Sequence, residues 1–248
     1  MKDISIVLSQ PHHMDYPWFR HNLHWMSECV SNVYIALTQD ENPPNISQFI
    51  ITRPEYKDVK WIHPQKNPQI TDWRDLAMKE AMAQISSEYV LFLEQDFLIK
   101  DQFVLNKIID NLDTYDFIYY QEGERIHPAF FLTKTNNVRR SSMDFGAHPP
   151  EHDHFGGIVN SMPYENKADL KDLGFWPDVD FYHIAGLTQN YHVYKMGQAM
   201  YKMDEFLTYN SGCLKLEMTQ EPMFYSLCEE IERVCGVGQV DKIKQFFI

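Results

Sequence analysis

The feature that most constrains this chain is the run EYVLFLEQDF, residues 88–97. The apolar stretch Tyr89–Leu93 is followed at once by Glu94 and, one residue further on, by Asp96. A short, near-continuous apolar run reads as a strand buried on both faces, and such strands belong to parallel sheets covered by helices. The carboxyl ends of those strands form the ligand crevice of an open α/β sheet. Two carboxylates one residue apart at that edge can hold a hard divalent cation that bridges the phosphates of a nucleotide. A solvated acidic turn after a strand has the same spacing, so the spacing leaves both readings open.

The rest of the first half supplies the partners of such a strand. Ile4–Ser9 (ISIVLS) and Asn32–Thr38 (NVYIALT) are strand-like, with weaker candidates at Phe49–Thr52 and Val59–Ile62. Helical spacing of apolar residues is present over Tyr16–Val30, Asp72–Ser86 and Asp101–Asp113. Asp72 is placed to cap the second of these, with Asp75 standing where a capping box has Glu or Gln. Phe117–Tyr120 and Ala129–Leu132 read as further strands. The alternation predicts an α/β fold: a mainly parallel sheet with helices on both faces. Beyond Lys134 the pattern loosens into loops rich in His, Pro and Gly, and Glu217–Phe247 reads as two short closing helices. A soft boundary near Asn136 divides one continuous domain into residues 1–135, a ligand-binding half, and residues 136–248, an acceptor-side half.

Charge narrows the partners. The 248 residues carry 22 Lys plus Arg against 35 Asp plus Glu, a net charge of −13. A polyphosphate backbone is repelled by that balance, which disfavours a large nucleic-acid surface. The compact basic cluster VRRSS, residues 138–142, leaves room for a small one, including a modified DNA base as acceptor. The apolar run Ile4–Leu8 is too short for a signal-peptide core or a membrane span, and no later stretch is long enough. Cys29, Cys213, Cys228 and Cys235 form no CxxC pair. Reduced thiols in a cytoplasmic protein are the expectation. No GxGxxG follows the first strand, which counts against a dinucleotide-dependent oxidoreductase.

Two further constellations carry chemistry. His148, Glu151, His152, Asp153 and His154 crowd into seven positions that could form a metal site by themselves, although the spacing is not HExxH. Asp153, just before the helix-like HFGGIVNSM, also suits a plain N-cap. In FWPDVDFYHIAGLTQNYHVY, residues 175–194, His183 and His192 stand among apolar residues, where a hydrogen-bonded core His is the ordinary reading. Asp178 and Asp180 add a second acidic pair. Trp176, Phe181, Tyr182 and Tyr191 offer flat surfaces to a sugar or a base, against core packing as the plainer role.

WRDLAMKEAM (residues 73–82) followed by SSEYVLFLEQD (residues 86–96) resembles the glycosyltransferases of the GT-A fold, whose D-x-D motif ends a strand after a helix carrying an Arg. The resemblance covers roughly residues 1–135, with weaker matches to about 195. It implies a single Rossmann-like domain that binds a nucleoside-diphosphate sugar, UDP-linked, with a divalent cation, Mn2+ or Mg2+. It further implies a hydroxyl acceptor, either a saccharide or a modified nucleic-acid base. By the same resemblance Glu94 and Asp96 are metal ligands, and the second carboxylate is the more direct one. Since Glu94 stands where the family has Asp, Glu94→Asp is expected to keep or improve transfer. Ser9, Asp40, Arg74 and Gln95 would lie on the donor side, with Gln10 and Gln39 as weaker candidates. For Arg74 a helix-surface salt bridge is the plain alternative. Asp153, with Glu151 behind it, stands where inverting relatives place the general base, and His183 where a late His completes the metal shell. Two other readings stay open, a nucleotidyltransferase and a catalytically silent sugar-binding module on the same scaffold. The absence of a Gly-rich phosphate loop near the N-terminus counts against the first.

Overall fold

The computed structural model describes residues 2–10, 26, 28–37, 58–64, 72–94, 97–122, 125–146, 148, 155–177 and 179–183. Asp40, Gln95, Asp96, Glu151, Asp153 and His192 lie outside them, as do Gln39, Asp178, the strand expected at Phe49–Thr52 and the closing helices. Along the chain come β1 (Ile4–Gln10), β2 (Asn32–Leu37), β3 (Lys60–Ile62), α1 (Trp73–Gln84), β4 (Tyr89–Glu94) and β5 (Phe97–Ile99). They are followed by α2 (Gln102–Asp110), β6 (Phe117–Glu122), β7 (Arg125–Lys134), α3 (Thr135–Arg139), α4 (Gly156–Ser161), β8 (Lys167–Asp169) and β9 (Phe181–His183).

Seven strands form one sheet in the order β3-β2-β1-β4-β7-β6-β8. The β1–β2, β2–β3, β1–β4 and β6–β8 pairs are parallel, and β7 runs antiparallel to both its neighbours. The mainly parallel α/β sheet expected from the sequence is therefore present, with one reversed strand. The reversal follows from chain length: β6 ends at Glu122 and β7 begins at Arg125, and so short a connection can join only antiparallel strands. Pro128 lies in β7, where the register slips between Tyr119 and Tyr120 of β6, so its missing N–H falls outside the regular ladder.

Strand alternation explains the layers. Val7, Tyr34, Ala36, Val90, Phe92, Phe117 and Phe131 point to one face, where Ala77, Met78, Ala81 and Met82 of α1, Val138 of α3 and Ile158 of α4 bury against them. The intervening residues Ile4, Ile6, Leu8, Leu91, Leu93, Phe130 and Leu132 are equally buried. Part of that second face is covered by a two-stranded ribbon of β5 and β9, in which Phe97 stacks on Phe181 at 5.0 Å and leans on Phe130 and Tyr120 at 5.4 Å each. Cys29 is buried as a thiol, and desolvation raises its pKa.

α1 begins as the sequence suggests. The Asp72 carboxylate accepts from the Asp75 N–H at 3.0 Å. The capping box does not close, because Asp75 turns elsewhere: one oxygen accepts from the Phe145 N–H at 3.0 Å and the other pairs with Lys79 at 2.6 Å. α2 has the same device, with the Asp101 carboxylate on the Val104 N–H at 2.9 Å. Among the described residues no helix is long and apolar enough to cross a membrane.

Candidate functional site

The carboxyl edge of the parallel strands gathers several of the residues singled out in the sequence. Ser9 and Glu94 are register partners across β1 and β4, one strand apart on the same face. α1 runs antiparallel to these strands, so its first turn stands over this edge and brings Arg74 to Glu94. The guanidinium Nη1 donates to Glu94 Oε1 at 2.9 Å, and the two side chains are only 18% and 15% exposed. The ion pair that was the plain alternative for Arg74 is thus present, but it is half-buried and lies at the strand end. Ser9 is 2% exposed, and among the described residues its hydroxyl finds no hydrogen-bond partner. A buried hydroxyl left unpaired is costly.

The ribbon, on the opposite face of the sheet from α1, brings a distant segment to Phe97, two places beyond Glu94's neighbour Gln95 in the sequence. In the β5–β9 register His183 stands opposite Phe97, the residue immediately after Asp96. The backbone of His183 therefore lies a strand spacing from that of Phe97, although 86 positions separate the two in the sequence. Among the described residues no three His, Cys, Asp or Glu side chains converge on a metal position. Asp96 and the imidazole of His183 lie outside that statement. By residue type, the carboxylates of the motif suit a hard divalent cation such as manganese or magnesium.

A third element reaches α1's first turn from the second half. The Phe145 N–H bonds Asp75, and the Asp144 carboxylate accepts from the Gly146 N–H and meets His148 Nε2, each at 3.1 Å. Two glycines allow close approach here. A Cβ on Gly146 would come within 2.8 Å of Asp72 Oδ2, and one on Gly157 within 2.8 Å of Asp144. The sequence reading missed Asp144. The signal was Asp-x-Gly-x-His, an aspartate whose carboxylate can reach back to the N–H two residues on. Glu151 and Asp153 fall between His148 and Phe155. Phe155, not Asp153, occupies the N-cap position of α4, with a left-handed φ of 62° and no side-chain cap. For a buried aromatic residue that backbone is strained.

Two other expectations are placed. Trp176 is 55% exposed rather than packed in the core. Its turn is locked, because Asp180 Oδ2 accepts from the Trp176 N–H and the Asp180 N–H donates to the Trp176 carbonyl, both at 2.9 Å. Lys100 N–H then ties Asp180 to the ribbon at 2.9 Å. In the basic cluster, Arg139 donates to the carbonyls of Met82 and Ile85 at the far end of α1, on the amino edge of the sheet. Arg139 is therefore not part of the carboxyl-edge site.

No family profile matches the chain, and no curated protein matches it. Solved structures resemble it distantly. Galactosyltransferase LgtC, in complex with donor and acceptor sugar analogues, is 11% identical with a TM-score of 0.48, over 87% of this chain and 99% of that one. Glucosyl-3-phosphoglycerate synthase from Mycobacterium tuberculosis, solved with Mn2+, UDP and glucosyl-3-phosphoglycerate, is 11% identical with a TM-score of 0.46, over 85% and 80%. The bifunctional IspDF from Campylobacter jejuni is 14% identical with a TM-score of 0.46. That match takes in 68% of this chain and about half, 49%, of IspDF.

Proposed function

We propose that the chain is a metal-dependent glycosyltransferase that moves a sugar from a nucleoside-diphosphate donor, UDP-linked, to a hydroxyl acceptor. One observation supports the reading: the register that sets His183 opposite Phe97, the residue that follows Asp96 in the sequence, next to the strand end where Arg74 meets Glu94. Asp96 and His183 are the proposed ligands of the cation. Glu94, expected as a third, already has one oxygen on Arg74. When bound, the cation would supply charge neutralisation for the leaving diphosphate. Ser9, Asp40 and Gln95 are assigned to the donor, and the buried Ser9 hydroxyl gains a partner when the donor enters.

Asp153, with Glu151 as the fallback, is proposed to take the acceptor's proton if the reaction inverts configuration. The N-cap position of the following helix is filled by Phe155, two residues after Asp153 in the sequence. In Asp153→Asn, turnover falls while UDP affinity holds. Parallel losses of both would move Asp153 to the donor. On the acceptor side, the exposed and locked Trp176 offers a flat apolar face of the kind on which sugar rings stack. The net charge of −13 and the attachment of Arg139 to α1 favour a saccharide over a nucleic acid.

Calorimetry with UDP, GDP and ADP, in manganese and in chelator, tests the reading. UDP is expected to bind best, and only with the cation; equal affinity in chelator removes the metal. Acceptor-free turnover of the donor should release UDP. Release of pyrophosphate from a nucleoside triphosphate would instead make the chain a nucleotidyltransferase.

A further inference from the structure

Arg74 occupies an unusual place for a cation. It is the second residue of α1, at the positive end of the helix dipole, where a positive charge is unfavourable and a carboxylate would suit better. The helix does not need it, since Asp72 caps the first turn and Asp75 adds a negative charge there. What holds Arg74 against the dipole is Glu94, across 20 positions of sequence and at a 2.9 Å charge-assisted bond. Both side chains are largely withdrawn from water, so without Glu94 the Arg74 guanidinium would be left a poorly solvated charge. Arg carries five N–H donors in a planar fork, and one bond to Glu94 fixes the fork's position without exhausting it.

We infer that Glu94 serves Arg74 rather than the cation: the pair is a unit in which Glu94 sets the guanidinium at the carboxyl edge as a preformed partner for the donor's diphosphate. This rests on the reading under Proposed function and changes one of its assignments. It also gives a reason for Glu where the family pattern has Asp. The pair bridges helix and strand, and Asp is shorter by one carbon–carbon bond, roughly 1.5 Å, enough to draw a 2.9 Å contact out of hydrogen-bonding range. Glu94 is on this account a positioning residue, and the direct metal contacts fall to Asp96 and His183.

The test is a double-mutant cycle on the full chain, read by two bindings: manganese alone by electron paramagnetic resonance, and UDP in saturating manganese by calorimetry. Arg74→Gln and Glu94→Gln should each weaken UDP about tenfold, and the double variant should be no worse than either single one. Glu94→Gln should hold manganese within about twofold of the wild type, whereas Asp96→Asn loses it. Glu94→Asp should behave like Glu94→Gln toward UDP, and Arg74→Lys, which keeps the charge without the fork, should restore only part of the affinity. Thermal unfolding of every variant identifies any that fails to fold, and the charge-retaining Glu94→Asp and Arg74→Lys then carry the comparison. The inference is overturned if Glu94→Gln loses manganese as Asp96→Asn does, if the two losses add, or if Glu94→Asp binds UDP as well as the wild type. A wild-type chain that binds neither UDP nor manganese overturns the functional reading itself, and this inference with it.

Discussion

α1 meets an arginine at each of its ends, and the two are held by different means. Arg139, arriving from α3, donates to carbonyls of the helix's last turn, where a cation complements the dipole and the unpaired C=O groups take hydrogen bonds. Arg74 sits in the first turn, where neither benefit exists, and a carboxylate from another element must hold it. One arginine thus completes a helix and the other is kept in place despite it. Residues retained at a local cost are where function is to be sought, and this one faces the carboxyl edge of the sheet.

The contrast can be broken experimentally, the largest effect first. Asp96→Ala should lower transfer more than about 100-fold and remove manganese binding, measured by turnover and by calorimetry. Full activity would displace the site from the carboxyl edge altogether. Trp176→Ala should raise the acceptor's KM about threefold to tenfold, roughly 0.7–1.4 kcal/mol, while UDP affinity and acceptor-free donor hydrolysis hold. A drop in melting temperature instead would mean that part of the chain covers this indole. Arg139→Gln should cost about 1 kcal/mol of stability through the lost carbonyl bonds and leave UDP affinity unchanged. A loss of UDP binding there would erase the distinction between the two ends of α1.

The sequence made some of this legible and hid the rest for physical reasons. β1, β2 and β4 announce themselves as short apolar runs with polar stops, and α1 and α2 by helical spacing behind a capping aspartate. The direction of β7 does not show, because apolar alternation carries no sign. The hairpin that would reveal it was obscured as well: β6 and β7 continue through Gln121, Glu122, Arg125 and Ile126 into a charged stretch that reads as loop. Arg74 and Glu94 were each noticed and given separate roles. Their pairing depends on how α1 lies across β1 and β4, a tertiary fact that no local pattern encodes. Under the inference drawn from that pair, Glu94→Asp restores the family residue and yet shortens the reach to Arg74, the opposite outcome to the one the resemblance implies. Trp176 resisted for the opposite reason. Its flanking Phe175 is buried and suggests core packing, while the turn locked by Asp180 carries the indole outward.

The division between the seven-stranded sheet and the small ribbon has a consequence in time rather than in space. β4 is hydrogen-bonded on both sides by β1 and β7, whereas β5 and β9 share three residue pairs and one stacked ring pair, Phe97 on Phe181, that leans on Tyr120 and Phe130 of the sheet. A two-stranded element of that length is marginal by itself, so its opening costs less free energy than global unfolding. Amide hydrogens of Leu91 and Leu93 should exchange only when the whole domain unfolds, and those of the ribbon well before. The Glu94–Asp96 motif joins these two regimes, one end anchored in a slow element and the other entering a fast one. A ligand held between Asp96 and His183 would draw the fast side toward the slow one, and the exchange rates of residues 97–99 and 181–183 would report its arrival without any assay of chemistry.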